Sequence, residues 1–248
     1  MNSLFLAWQD AGSSRAWFPI GRLDADLAAP RFVFGYTHGA ERAASEAGLR
    51  PLESFPDFGR TYESKELFPL FRNRVMERSR RDFREYLRQL DLTPDQANEI
   101  AILSVTGGER QTDNLQVFPK IDRQEDGTFR CRFFLHGVRH TPDTAQDAIT
   151  RLKAGDILRI AMELNNPATR LALQVETDDY HMIGWAPRYL IDDLKQAIDD
   201  SPDAVVGKVV RVNPAPAPTN QRILVELTGR ISEGHSLMSG SDFQLIAR

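Results

Sequence analysis

The stretch between residues 133 and 189 constrains the fold more than any other part of the chain. Short apolar runs alternate in it with turn-forming residues, and the tripeptide Asn165-Asn166-Pro167 separates two of these runs. Asparagine and proline favour tight turns, and short apolar runs bounded by such residues favour strands. The pattern predicts the order strand, helix, strand, tight turn, strand, strand, helix.

Hydrophobic spacing predicts further elements on both sides of this stretch. Thr93, followed by Pro94 and Gln96, has the pattern of a capping box and predicts a helix that Gly107-Gly108 ends. Apolar runs on either side of a Pro-Ala loop at 213–219 predict one long hairpin. The other predicted elements are strands at 4–8, 16–20, 32–36 and 243–246, and helices that begin near residue 69, span residues 79–90, and begin near Asp143 and Pro187.

A charged, turn-like segment at residues 122–128 separates the two halves of the chain. We place a boundary here, which gives a first module over residues 1–122 and a second over residues 123–248. The same segment also fits the turn of a hairpin between Val117-Phe118 and Phe129-Arg130-Cys131. Because both halves combine strands and helices, the predicted fold class is α+β.

Composition and charge restrict the classes of function. The 248 residues carry a formal net charge of -4, so a nucleic-acid site would have to be a local basic patch. Cys131 is the only cysteine, which excludes a disulfide within the chain. No apolar run is long enough for a signal peptide or a membrane span. We expect a cytoplasmic protein with no membrane partner, and the sequence does not indicate its oligomeric state.

Several short motifs form an ordered set in the first half of the chain. They lie at residues 20–23, 32–36, 50–56, 62, 67–74 and 105–108. Together they resemble the N-terminal domain of the HipA-type kinases, the toxins of bacterial HipA/HipB toxin–antitoxin systems. In that family the module packs on a kinase domain and has no catalytic residues of its own. Because this chain has no kinase or P-loop motif, the resemblance implies that the partner is a separately encoded HipA-type kinase.

An arginine-rich segment follows within the same half. Seven arginines lie between Arg72 and Arg88, against three acidic residues. Such a run is usually the solvated face of amphipathic helices, and the alternative is a contact strip for phosphate or an acidic partner. We predict that Phe71, Arg72 and Arg74 contact the protein partner.

Four matches form a second ordered set in the central stretch. They are His136-Gly137-Val138-Arg139-His140, residues 152–158, residues 164–175 and residues 183–190. This set resembles the HIRAN domain, a small β-barrel module of some DNA-repair helicases and many bacterial proteins. The resemblance implies that the second module is a small β-barrel with short helices and that its ligand is DNA.

The resemblance also implies which residues bind that DNA. Family members bind it, and one captures a free 3′ end with an Arg–aromatic pair and an aromatic–Asp pair after Asn-Pro. Here Arg139 is retained, His140 replaces the first aromatic residue, and Ala168 and Thr169 replace the second aromatic residue and the acid. Rings stack on bases, and arginine neutralises phosphate. The predicted site residues are Arg139, His140 and Asn166, with Arg170, Arg188 and Tyr189 as substitutes for the missing pair. The alternative is that Arg139 and Arg188 are ordinary surface residues.

Catalytic alternatives have less support. His136, His140 and His181 with Glu163 could form a metal site with a base, as in a nuclease or hydrolase. His136 and His140, however, lie in predicted strand and turn and need not share a face. There is no recognisable Ser or Cys triad, and Cys131 fits a core thiol. We expect no catalytic residue, metal or cofactor.

Both resemblances together predict a non-catalytic protein that binds DNA and a partner. We interpret it as a regulator or antitoxin-like subunit for a HipA-type kinase toxin. One alternative is an adaptor that binds single-stranded 3′ ends in repair or phage defence, and another is the metal-dependent nuclease or hydrolase above.

Overall fold

The described residues, 2–12, 15–110 and 112–247 of a computed structural model, form two units, each with its own antiparallel sheet. Met1–Glu85, Thr93–Lys120 and Met238–Arg248 belong to the first unit. Tyr86–Leu92 and Ile121–Leu237 belong to the second. The α+β fold class is therefore confirmed, whereas the module boundary between residues 122 and 123 stays a prediction.

The first unit is organised around a five-stranded sheet with the order β4-β3-β2-β1-β5. Its strands are antiparallel, and β1 and β2 form the predicted hairpin at the start of the chain. Residues 13 and 14, between these two strands in the chain, lie outside the described residues. The strands are β1 (Asn2–Gln9), β2 (Trp17–Asp26), β3 (Arg31–Tyr36), β4 (Tyr62–Ser64) and β5 (Leu115–Pro119).

Three of the four helices described in this half of the chain contribute buried residues to an aromatic core. The ring of Phe34 stacks on Phe55 with their centroids 4.0 Å apart, and Phe71 lies 6.0 Å from Phe34. All three side chains are fully buried, as expected for a core built from large apolar rings. The helices are α1 (His38–Ala47), α2 (Pro69–Arg72), α3 (Phe83–Gln89) and α4 (Glu99–Thr106), so the helix predicted over residues 79–90 is shorter than expected.

The start of α4 corrects the predicted capping box. The side chain of Asn98 accepts a hydrogen bond of 2.9 Å from the Ala101 amide, which makes Asn98 the N-cap. Thr93 instead belongs to a separate turn, in which the Thr93 amide donates to the Gln96 side chain at 3.2 Å. The capping-box pattern forms locally without starting a helix, because the chain needs five more residues before the apolar face of α4 begins. Gly107, with φ of 72°, ends α4 as predicted.

The second unit contains a six-stranded antiparallel sheet with the order β6-β11-β10-β7-β8-β9. The strands on either side of the Pro-Ala loop pair as the predicted hairpin. The alternative hairpin across residues 122–128 is wrong, because β5 pairs with β1 and β6 pairs with β11. The elements are β6 (Thr128–Phe134), α5 (Asp143–Arg151), β7 (Ile157–Asn166), β8 (Arg170–Thr177), β9 (Met182–Trp185), α6 (Ile191–Asp200), β10 (Val206–Val212) and β11 (Ile223–Arg230).

The sheet does not close into the predicted barrel. Its edge strands β6 and β9 share no ladder among the described residues. Just beyond β6, His136 forms one bridge with Trp185, with amide-to-carbonyl bonds of 2.9 and 3.0 Å. Gly137, with φ of 68°, then turns the chain away, so the pairing stops after a single residue pair.

The strand predicted at residues 243–246 is also wrong. Ser241–Phe243 is a 3-10 turn, and Leu245 forms only an isolated bridge with Thr37. This C-terminal segment belongs to the first unit, where Arg42 forms a 2.6 Å ion pair with Asp242. The Phe243 ring packs edge-on against Phe5, with 5.0 Å between centroids. An aromatic contact and an ion pair thus hold the segment without strand pairing.

Polar contacts attach Tyr86–Leu92 to the rest of the second unit. Asp91 lies 3.2 Å from Arg132 and 3.1 Å from Arg211, so one carboxylate joins β6 and β10. Asn213, which is 4% exposed, donates to the Gln89 carbonyl at 3.0 Å and to the Gln221 carbonyl at 2.8 Å. A buried amide with two acceptors is a strong positional constraint. The second unit therefore includes a segment that precedes Ile121 in the chain.

Candidate nucleic-acid interface

A short, well-held turn presents the Arg139–His140 pair to solvent. Val138–His140 form a 3-10 turn, in which Val138 is buried and the next two residues are exposed. The Val138 carbonyl accepts bonds from Thr141 Oγ1 at 2.8 Å and from Gln146 Nε2 at 2.7 Å. These contacts fix the backbone, so the two exposed side chains project from a rigid support.

Arg139 and His140 interact with each other. Arg139 Nε donates to His140 Nε2 at 3.0 Å, so that ring nitrogen is the acceptor in this contact. The guanidinium retains its other donors for a phosphate, and the imidazole offers a ring face. The pair combines a cation and a stacking surface at adjacent positions.

Trp185 packs directly beneath this turn. A Cβ atom built on Gly137 would lie 2.4 Å from Trp185 Cε3, so only glycine allows the turn to approach the indole this closely. Gly184 allows a second close approach, because a Cβ there would lie 2.8 Å from the His136 carbonyl oxygen. The half-buried indole is thus held against the turn that carries Arg139 and His140.

Glu163 fixes the orientation of Trp185. Glu163 Oε2 accepts from Trp185 Nε1 at 2.7 Å and from Asn166 Nδ2 at 2.9 Å. Burial raises the pKa of Glu163, but hydrogen bonds from Asn166, Trp185 and Gln174 outweigh it, and the pKa lies below its ordinary value. The carboxylate is therefore ionised at neutral pH and acts as a charged acceptor for the indole.

Asn166 shapes the turn between β7 and β8. Its Oδ1 accepts from the Ala168 amide at 2.9 Å, the Thr169 amide at 3.1 Å and the Thr169 hydroxyl at 3.0 Å. This is an Asx turn, in which the side chain replaces a backbone acceptor. Asn166 and Thr169 therefore build the turn, and Arg170, opposite Asn166 with φ of 65°, is exposed at its end.

The structure brings most, but not all, of the predicted DNA-binding residues together. Contacts connect Arg139 and His140, through Gly137, to Trp185, Glu163 and the Asn166 turn. Arg188 is half-buried in the following 3-10 turn. Tyr189 is only 8% exposed and is part of the core, and its contact with DNA stays a prediction.

The residue that sequence reasoning missed is Trp185. Its Gly184-Trp185 step was visible in the sequence, but Glu163 lies 22 positions earlier, and no local pattern joins them. The sequence signal for Trp185 was the pair of glycines Gly137 and Gly184. The first lies against the Trp185 ring, and the second lies against the His136 carbonyl oxygen.

Two of the three predicted partner-binding residues in the first unit are buried. Phe71 is 0% exposed, and the Arg74 side chain is 2% exposed. Arg74 donates to the Leu70 and Gly108 carbonyls and to Asp113, which satisfies it internally. The side chains of Phe71 and Arg74 are thus used inside the first unit, and their contact with a protein partner stays a prediction. Arg72 is exposed and lies 3.5 Å from Glu66.

The metal alternative lacks a suitable cluster. No group of three His, Cys, Asp or Glu side chains that could hold a metal occurs within residues 2–12, 15–110 and 112–247. His181 lies 3.5 Å from Asp179, and Glu163 is bonded to Trp185 and Asn166. Cys131 is buried as predicted, and burial raises the pKa of its thiol.

One Ser–His–Asp cluster occurs in the second unit. Ser232 Oγ lies 2.9 Å from His235 Nδ1 and donates to Asp200 Oδ2 at 2.8 Å, and Asp200 lies 3.3 Å from the same Nδ1. In a catalytic triad the nucleophile and the acid contact different ring nitrogens. Here both meet Nδ1, so the cluster does not have the geometry of a triad, and it joins the end of α6 to the segment that follows β11.

The helices of the described chain include none that is both long enough and apolar enough to cross a membrane.

Comparison with known proteins gives one family. Residues 128–228 match the HIRAN domain, which confirms the prediction for the central stretch. No curated protein matches the chain. The resemblance of the first unit to the HipA N-terminal domain stays a prediction.

Two solved structures are similar to part of the chain. One is a protein from Lactobacillus plantarum, with 18% identity over 43% of this chain and 100% of that one and a TM-score of 0.33. The other is the HIRAN domain of human HLTF, with 16% identity over 46% of this chain and 80% of that one and a TM-score of 0.32.

Proposed function

Since residues 128–228 are a HIRAN domain, we propose that the second unit binds single-stranded DNA around Arg139, His140 and Trp185. The observation that supports this most directly is the exposed Arg139–His140 pair on a rigid turn against a half-buried indole. Single-strand sites combine cations that neutralise phosphate with rings that stack on bases. The three side chains supply both in one place.

Each side chain has a separate role in the proposal. Arg139 neutralises a phosphate, and His140 and Trp185 offer surfaces on which bases stack at about 1–3 kcal/mol per base. Glu163 positions Trp185 through the indole N–H bond. Arg170, exposed at the adjacent turn, supplies a further positive charge along the path of the strand.

The proposed site does not require a free 3′ end. Ala168 has no ring, and the Thr169 hydroxyl is bonded to Asn166. The nearby carboxylate of Glu163 already accepts bonds from Trp185, Asn166 and Gln174. With Ala168 and Thr169 in place of the second aromatic residue and the acid, and Glu163 engaged with Trp185, the proposed recognition rests on phosphate and base stacking. The adaptor alternative, in contrast, requires 3′-end capture.

Fluorescence anisotropy with labelled oligonucleotides tests the proposal on the full chain. We expect single strands of ~16 nucleotides with free or blocked 3′ ends to bind equally. The variant Arg139→Ala should weaken binding and reduce the salt slope by about 0.7, the value for one lost phosphate contact on a single strand. Lys153→Ala, which removes an exposed charge from the same unit, serves as control. Loss of binding on blocking the 3′ end would support the adaptor instead.

The proposal treats the protein as non-catalytic. Incubation of labelled single and double strands with and without Mg²⁺, Mn²⁺ or Zn²⁺ checks this point. Cleavage that depends on a metal and disappears in the variant His136→Ala would favour the hydrolase alternative.

The regulatory role with a HipA-type kinase is the second candidate. It is favoured by the arginine-rich segment that begins at Arg72, several of whose side chains, including Arg72, Arg80 and Arg84, are exposed. Co-expression with a kinase encoded beside this protein would test it. Failure of the two to co-purify, with kinase activity unchanged by this protein, would remove the candidate.

A further inference from the structure

A second group of cations lies on the solvent-facing side of the second unit's sheet. Arg130 on β6 is opposite Thr228 on β11, and Thr128 is opposite Arg230. Residues opposite each other in an antiparallel ladder, and residues two apart along a strand, share a face. These four side chains therefore point to the same side of the sheet.

Lys208 extends this group to the next strand. It is opposite Glu226 on β11, and Glu226 is two residues from Thr228. We call Arg130, Arg230 and Lys208 the cation cluster. The inward face of the same strands is apolar, since Phe129, Cys131 and Leu227 are buried.

A cavity of about 590 Å³ opens beside the cluster. Arg130 and Arg230 line it, together with the hydroxyls of Thr128 and Thr228, the Gln124 side chain and the Gly229 backbone. The Arg130, Arg230 and Gln124 side chains can donate hydrogen bonds. The Thr128 and Thr228 hydroxyls already donate to Asp126 and to the Val206 carbonyl. Phe129 also lines it but is 2% exposed, so no ring is available for stacking on a base.

The carboxylates nearby are already engaged. Glu226 accepts from Arg132 at 2.8 Å and lies 3.8 Å from Arg130. Asp126 accepts from the hydroxyl and amide of Thr128, and these bonds hold its pKa below the ordinary value. Arg230 and Lys208 form no ion pair with any residue that the structure describes. Asp126 also interacts electrostatically with Arg230, and Glu226 lies opposite Lys208. The three cations of the cluster still outnumber these two carboxylates, so the surface carries a net positive charge.

The cluster and the Trp185 site are separated by the length of β6 and the residues that follow it up to His136. Trp185 is bridged to His136, and Arg130 precedes His136 by six residues. At ~3.3 Å per strand residue this separation is about 20 Å. A short oligonucleotide on Trp185 would not reach the cluster, and a longer one would.

We propose that the cation cluster is a second contact for the phosphate backbone of the strand that is bound at Trp185. The inference rests on the proposed function, because it assigns the path of the same ligand. Phosphodiester is the chemistry that fits, since arginine binds phosphate through paired donors and the Gln124 side chain that lines the cavity can add another. With no exposed ring, this contact is independent of base sequence.

The test compares oligonucleotide lengths on the full chain by anisotropy. We expect the double variant Arg130→Ala/Arg230→Ala to bind a single strand of ~16 nucleotides more weakly than the wild type does. Its affinity for a single strand of ~4 nucleotides should not change. The salt slope for the longer strand should fall by about 1.4, which corresponds to two lost phosphate contacts. Arg130→Lys/Arg230→Lys should recover part of the affinity.

The control is Lys153→Ala/Lys195→Ala, which removes the same charge from exposed positions on the second unit. Equal slopes for this control and the cluster variant would mean that only net charge matters, and would overturn the inference. The affinity for the ~16-nucleotide strand could instead fall with Arg139→Ala but not with the cluster variant. That result would also overturn the inference about the cation cluster, and the proposed function would stand.

Failure of the proposed function gives a different result. If the cluster variant loses binding while Arg139→Ala does not, the cluster is a phosphate contact and the Trp185 site is not. If the wild-type protein binds neither length at low salt, both proposals are overturned. Thermal unfolding of each variant confirms that the fold is retained.

Discussion

Among single residues, Glu163 has the clearest electrostatic role, because its carboxylate accepts the hydrogen bond that orients Trp185. Its depressed pKa means that the ionised form is the one the fold stabilises. The free energy that it contributes is present above the unfolded pKa of about 4.3 and is lost as the pH falls through the lower folded pKa. Glu163→Gln keeps an acceptor for Trp185 Nε1 but removes the charge.

We expect Glu163→Gln to lower the free energy of unfolding at pH 7 by about 1 kcal/mol, the difference between a charged and a neutral acceptor. Urea titrations at pH 7 and at pH 3, followed by tryptophan fluorescence, should show the gap to wild type closing at the lower pH. Glu176→Gln on β8 is the matched control, because none of the described residues donates a hydrogen bond to that carboxylate. A gap that is independent of pH would mean that Glu163 does not act through its charge.

At the scale of elements, the turn that carries Arg139 depends on one glycine. Gly137 has φ of 68°, and an added Cβ would meet the Trp185 ring. We expect Gly137→Ala to cost about 1–2 kcal/mol for the left-handed backbone and a further 1–3 kcal/mol, roughly, for the overpacked ring. The affinity of the Gly137→Ala variant for DNA should also decrease, because the turn that carries Arg139 and His140 is displaced from Trp185.

Gly155→Ala separates the two contributions. Gly155 has φ of 99°, and nothing lies within 4 Å of its added Cβ, so only the backbone cost applies. Thermal unfolding of both variants measures the difference. Equal destabilisation, with DNA affinity kept in Gly137→Ala, would show that the contact between turn and indole is unimportant.

The individual helices and strands show how much of the fold could be predicted from the sequence. The hairpin across the Pro-Ala loop and the helix that begins at Asp143 were predictable, because their apolar spacing is local. The capping box at Thr93 was misleading, since its hydrogen bond forms in an isolated turn and Asn98 starts the helix. Trp185 meets Glu163 and Gly137 only after three strands have paired, so no local pattern could reveal that part of the site.

At the scale of the whole molecule, the two units are interleaved in sequence. The chain crosses from one unit to the other after Glu85, Leu92, Lys120 and Leu237. A cut after residue 122 would therefore separate Tyr86–Leu92 from its own unit and Met238–Arg248 from the first. Because each unit takes its segments from distant parts of the chain, binding should be measured on all 248 residues together.

This interleaving gives a prediction for hydrogen exchange on the full chain. Asn213→Ala leaves the Gln89 and Gln221 carbonyls without their buried donor, at a cost of about 1–3 kcal/mol. We expect amides of residues 86–92 to lose protection together with the Pro-Ala loop, while β1 to β3 keep theirs, because local opening follows cooperative units. Asn98→Ala is the matched control: it removes the cap of α4 in the first unit and should leave residues 86–92 protected. If residues 86–92 instead open with α4 and ignore Asn213, the segment belongs energetically to the first unit.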